Sequence, residues 1–123
     1  MSVIHLDAAV LSALHDVMEA GYPMLVEVFL QDSEQRVARL QHLQRAARSE
    51  GLPAFLDEVG GSAHSFKGSC ANMGAVELGE LCRQLEDRSR AGDLTLSAFI
   101  GLLAAIEHEF HVVRRLFELE HSF

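Results

Sequence analysis

Apolar residues recur at three- and four-residue spacings along nearly the whole chain, the period of an amphipathic α-helix. No run alternates polar and apolar as a half-buried strand would. The first stripe, Val10, Leu11, Leu14, Val17 and Met18, follows Asp7, a good N-cap, and precedes Gly21, which is expected to stop a helix over about 7–20. Pro23 suits the first turn of a second helix over about 23–49, with Val26, Phe29, Leu30, Val37, Leu40 and Leu43 on its apolar face. Gly51-Leu52-Pro53 breaks that pattern, and Pro53 opens a third helix over about 53–73, striped by Leu56, Val59, Ala63, Phe66, Cys70 and Met73. Gly74 closes it. A fourth helix over about 75–90 carries Leu78, Leu81 and Leu85, and Ala91-Gly92-Asp93 turns the chain into a fifth over about 94–119. The fifth bears Phe99, Leu102, Leu103, Ile106, Phe110, Val113, Leu116 and Phe117.

Connections this short force consecutive helices to lie antiparallel. The expected fold is all-α, an up-and-down antiparallel four-helix bundle with an additional short N-terminal helix over one end. The 123 residues suit one core, and no linker, repeat or low-complexity tract divides them, so residues 1–123 read as a single domain.

Composition narrows the function more than the fold. The chain is 49% hydrophobic and 23% charged, the balance of an ordinary globular protein. Its formal charge of −8, from 18 acids against 10 bases, argues against nucleic acid and anionic membranes as partners. Arg36, Arg39, Arg45 and Arg48 read as a solvated helix face. No apolar run approaches the ~20 residues that cross a bilayer, and residues 1–7 lack the basic flank and long apolar stretch of a signal peptide. A cytoplasmic protein is expected, with Cys70 and Cys82 as buried, reduced thiols. Their spacing does not say whether the two touch.

The candidate chemistry centres on His64. It falls just off the apolar stripe of the third helix, and Gly60, Gly61, Lys67, Gly68 and Ala71 lie at the spacings that neighbour it on a helix surface. A glycine inside a helix costs on the order of 1 kcal/mol relative to alanine, so three beside one histidine need a reason. Access for another protein's reactive group supplies one. The partner surface is then expected around Asp57, Gly60, Gly61, Lys67, Gly68 and Ala71. Lys67, one turn from His64, brings an ammonium close to the ring. That charge disfavours imidazolium, keeps the ring nucleophilic and would support a phosphoryl group attached to it. Read singly, either residue could be an ordinary surface side chain; the combination is what stands out.

The run His64-Ser65-Phe66-Lys67-Gly68-Ser69-Cys70-Ala71-Asn72-Met73-Gly74-Ala75, followed by Leu78, Leu81-Cys82 and Leu85-Glu86, resembles the motif of histidine-containing phosphotransfer (HPt) domains. The helix layout resembles that family over nearly the whole chain, the stand-alone bacterial, HptB-like members in particular. Cys70, where the family commonly has Ser or Ala, and Gly60-Gly61 are departures from the pattern. The resemblance implies a phosphorelay intermediate without autokinase activity. His64 would take a phosphoryl group from the aspartyl-phosphate of a receiver domain in a hybrid sensor histidine kinase and pass it to the aspartate of a response regulator. Lys67 would support the charge and Gly68 would open access to the imidazole. It further implies that this chain carries no cofactor, Mg²⁺ sitting on the partner receiver, and that the protein works as a monomer. Two other readings are a phosphorylation-independent helical adaptor using the same face, and a metal-binding bundle built on His108, Glu109 and His111.

Overall fold

The computed structural model describes residues 3–120; the outermost residues of the expected domain, His121 among them, lie outside the described residues. Five α-helices follow in order: α1 (Ala8–Met18), α2 (Tyr22–Glu50), α3 (Leu56–Asn72), α4 (Val76–Ala91) and α5 (Leu96–Glu120). Short 3₁₀ turns at Glu19–Gly21 and Leu52–Phe55 join the first three. Helices α2 to α5 close a ring, α2 packing on α3, α3 on α4, α4 on α5 and α5 back on α2. Inside the ring lie Tyr22, Leu40, Leu43, Phe66, Leu78, Leu85, Phe99, Leu103, Ile106 and Phe117, all essentially sealed from solvent.

Two boundaries differ from the sequence expectation. Helix α1 ends at Met18 because Glu19 takes a left-handed φ of 48° and its N–H bonds back to the His15 carbonyl. Gly21, the expected stop, has an ordinary helical φ of −81° and leads straight into α2. Pro53 lies in the 3₁₀ turn instead of opening α3, which begins at Leu56. The tighter turn accommodates a residue that has no N–H to donate.

The N-terminal segment crosses one end of the bundle and completes α4. The amides of Val76 and Glu77 have no side-chain cap; the carbonyls of His5 and Ile4 accept from them, each at 3.1 Å. Asp7 caps α1 through Oδ1, which accepts from Ala9 N and Val10 N, while its own amide donates to the Gly74 carbonyl at 2.8 Å. Gly74 has a φ of +66°, and a Cβ there would stand 3.0 Å from Val10 Cβ and 3.3 Å from the Asp7 carbonyl. Only glycine satisfies both the backbone and the close approach. Helix α1 buries none of its residues fully; Leu11 and Leu14 are half-buried and Val17 is exposed, so its stripe serves as a lid.

Helix α5 is long and apolar enough by composition to span a bilayer, with a mean hydropathy of 1.4 over its most apolar stretch. Its Phe99, Leu103, Ile106, Phe110, Val113 and Phe117 are instead spent on the bundle core. The α3–α4 pair is the most closely packed: a Cβ on Gly79 would lie 3.3 Å from Cys70 Cβ. Cys70 and Cys82 are buried free thiols that neighbour each other across this seam. The neighbouring Cys82 thiol, and burial after it, push the Cys70 thiol up, which disfavours its thiolate.

Candidate functional site

Helix α3 presents His64 because its apolar stripe fixes the rotation. Val59, Ala63, Phe66 and Cys70 are completely buried, which turns the intervening position 64 outward with 58% of its side chain exposed. On α4 a second stripe, Leu78, Cys82, Leu85 and Ser89, faces α3, and Glu86 shares its inward side with only 5% of its side chain exposed. The two meet: His64 Nδ1 lies 2.8 Å from Glu86 Oε2.

Glu86 gathers two further groups. Lys67 Nζ stands 2.6 Å from Oε1, and Arg90 Nη2 lies 3.1 Å from Oε2 as an ion pair, so imidazole and guanidinium converge on one oxygen. The Glu86 carboxyl is held below the usual carboxylate range, first by the Lys67 ammonium beside it, against the opposing effect of burial, and then by His64 and Arg90. An ionised carboxylate only accepts hydrogen bonds, so the ring hydrogen facing it sits on Nδ1. In the neutral ring Nε2 then carries the free lone pair on the edge away from Glu86. The sequence places an ammonium beside the ring; the structure puts a carboxylate between them, and it is this carboxylate that sets the tautomer.

The surroundings are open on one side. A Cβ at Gly61 or Gly68 would meet nothing within 4 Å, and Asp57, Gly61, Gly68 and Ala71 are exposed. Gly60 does not belong with them. It is buried, and a Cβ there would lie 3.3 Å from Ser89 Cβ and 3.7 Å from Arg90 Cγ, so it serves the α3–α4 contact and not a partner surface. A groove of about 330 Å³ runs on from Lys67 toward the lid, floored by Cys70, Ala71, Ala75 and Gly79 with Val10 across it.

Of the arginines expected on a solvated face, Arg39 is exposed, whereas Arg36 is half-buried. Arg36 pairs with Asp32 at 2.7 Å and donates to Ser65 Oγ at 2.7 Å, and Arg39 reaches Glu58 at 2.7 Å. Both tie α2 to the helix that carries His64. The residues proposed for a metal do not converge: Glu109 is buried and bonded to His5 at 2.6 Å, whereas His108 and His111 are exposed. Among the described residues no three His, Cys, Asp or Glu side chains are grouped to hold a metal ion.

Glu86 is the functional candidate that sequence reasoning did not single out, although it stands in the quoted motif. Its signal was a carboxylate at an inward position of the α4 stripe, four residues after Cys82 and three before Ser89. An acid placed there must find a cation or a donor, or neutralise.

The model of the Hpt domain family matches residues 24–115. Among solved structures, the crystal structure of histidine-containing phosphotransfer protein B (HptB) from Pseudomonas aeruginosa PAO1 is similar to this chain at 40% sequence identity. The match covers 98% of this chain and 97% of that one, with a TM-score of 0.83. No curated protein matches the chain.

Proposed function

The chain belongs to the Hpt domain family, whose members carry phosphoryl groups on histidine in two-component phosphorelays, and from that premise we propose that His64 is the phosphoacceptor. The observation that carries this reading is a solvent-facing imidazole whose Nδ1 is engaged by the buried Glu86 carboxylate, which leaves Nε2 as the outward nucleophile. In the transfer the Nε2 lone pair forms a bond to phosphorus while the bond from phosphorus to the donor aspartate oxygen breaks. That bond's electron pair returns to the aspartate as carboxylate. No proton need leave the ring: its new positive charge is shared with Nδ1–H, which points at Glu86. Lys67 offsets the negative charge arriving with the phosphoryl group. Gly68 and Gly61 leave the approach clear, since a receiver must bring its aspartate into line with Nε2.

The donor is the receiver domain of a hybrid sensor histidine kinase and the acceptor is the aspartate of a response regulator. The docking surface includes Asp57, Gly61, Lys67, Gly68 and Ala71. The Mg²⁺ that such transfers use belongs to the receiver's acidic pocket, so this chain brings the nucleophile and its electrostatic support and does not phosphorylate itself from ATP. We place the protein in the cytoplasm, acting as a monomer, with an unobstructed His64 face as the support for that state.

Incubation with a receiver domain phosphorylated at its aspartate tests the reading. The wild type should take up label in the acid-labile, alkali-stable form of phosphohistidine, and His64→Gln should take up none. Equal labelling of both would overturn the assignment of His64. Receiver binding without labelling of the wild type would favour the adaptor.

A further inference from the structure

The α2–α5 seam lies across the helix ring from the α3–α4 seam that carries His64. The core is least sealed along it. Among the described residues, the three buried apolar side chains that keep most exposure are Leu30 and Val37 at 8% and Phe110 at 7%, and all three open onto this seam. Two cavities there, of about 570 and 480 Å³, share Glu34 and Arg114, so they form one continuous groove. Its rims repeat. The helices run antiparallel, and polar residues seven apart on α2 face successive positions of α5. Glu27 lines one end with Glu118, Glu34 pairs with Arg114 at 3.0 Å in the middle, and Gln41 donates to Glu107 at 3.3 Å at the far end. Seven residues are about two helical turns, so the outer rungs stand about 21 Å apart.

The middle rung shows what the groove accepts. The Arg114 guanidinium lies over the Phe110 ring, 4.9 Å from its centroid, while Glu34 holds it from the rim. The end rungs offer carboxylates without a cation. Glu27 accepts from the Gln31 amide at 3.0 Å and Glu107 from Gln41, and neither forms an ion pair among the described residues. We infer that this groove docks a basic amphipathic helix of a partner protein other than the receiver, with Arg or Lys side chains at the Glu27 and Glu107 ends and an apolar stripe on Leu30, Val37 and Phe110. Charge selects the occupant. Four carboxylates, those of Glu27, Glu34, Glu107 and Glu118, line the groove against the one guanidinium of Arg114. A second copy of this chain, at a net −8, and a nucleic acid bring the wrong sign. A helix without cations would cover the rim carboxylates and leave them unpaired. A helix laid in a groove needs only such a stripe and its flanking charges. Because the groove and His64 occupy opposite seams, this partner and a receiver bind at the same time.

The test titrates the full chain with a synthetic helical peptide of about 18 residues, long enough to span both outer rungs. The peptide carries leucines along one face, an arginine near each end and alanine opposite Arg114. Fluorescence anisotropy reads binding, and amide shifts of the isotope-labelled protein read its place. Binding should saturate, with shifts along α2 and α5 and none at His64. The double variant Glu27→Lys/Glu107→Lys, checked for fold by circular dichroism, should bind at least about tenfold more weakly. A scrambled peptide of the same composition should lose as much, since it keeps the charge and breaks the stripe. Saturating peptide should leave label transfer from a phosphorylated receiver to His64 at its original rate. No saturable binding, equal binding by the double variant or by the scrambled peptide, shifts gathered around His64, or a block of transfer would each overturn the inference. A dimer in sedimentation that excludes the peptide would give the groove to a second copy instead. Binding and mapping need no label, so a protein that accepts none fails only the reading of His64.

Discussion

The described part of the bundle buries two glutamates, and each receives a histidine Nδ1: Glu86 from His64 at 2.8 Å, Glu109 from His5 at 2.6 Å. The pairs look alike and do different work. Around Glu86 stand Lys67 and Arg90, the ring belongs to a rigid helix, and the glycines beside it leave its outer edge clear. Around Glu109 no lysine or arginine is paired among the described residues, and His5 belongs to the strap whose carbonyls cap α4. The second pair is a fastener that joins the N-terminal segment to α5. A histidine–carboxylate pair is therefore not a site by its geometry alone. On the proposed reading, surplus cations and open space over the second ring nitrogen are what distinguish the Glu86 pair.

The largest expected effect separates the two carboxylates directly. Glu86→Gln should slow phosphoryl transfer on the order of tenfold to a hundredfold, because the amide no longer fixes the tautomer or offsets the cationic ring. Glu109→Gln should transfer at the wild-type rate in the same labelling assay. Comparable losses from both would erase the distinction.

Stability should divide them the other way. His5→Ala leaves Glu109 buried without its donor and should cost about 1–3 kcal/mol in denaturant unfolding. His64→Ala leaves Glu86 its two cations and should cost less than about 1 kcal/mol. If His64→Ala proves the more costly, the exposed ring is structural after all.

Gly68→Ala isolates access from packing. The helix gains an alanine where nothing touches the new Cβ, so the fold should be stabilised by up to about 1 kcal/mol while transfer slows. Faster or unchanged transfer would mean that the partner does not approach over this turn.

The smallest effect is on acid stability. The Glu86 carboxyl is lowered from an ordinary 4.5 by Lys67, His64 and Arg90, so the stability it contributes is present above 4.5 and is lost as pH falls through the lowered folded value. The wild type should lose stability relative to Glu86→Gln on acidification below about pH 4.5. Parallel pH curves for the two proteins would show that the cations do not act on this carboxyl in the folded state.

Much of this molecule was legible before any coordinates. The helical period carried the fold class and placed Val59, Ala63, Phe66 and Cys70 inside, which by itself turns His64 outward. Asp7 as a cap and Gly74 as a stop follow from side chains and backbone freedom within a few residues. The misreadings have a common cause. Gly60 reads as surface from the sequence because it neighbours His64, although it also follows Leu56 by four residues and so lies at the inward edge of the same helix. Arg36 reads as a solvated charge from the sequence because its partner on α3, Ser65, is 29 residues away.

Periodicity and capping are short-range, so the chain alone was enough to specify helices, their inward faces and an exposed histidine with a lysine one turn on. The meeting of Glu86 with His64, 22 residues apart, and of His5 with Glu109, 104 apart, depends on how α3, α4, α5 and the N-terminal strap pack. Burial is what turns those carboxylates into strong acceptors, and burial is a property of the assembled bundle and of no segment within it.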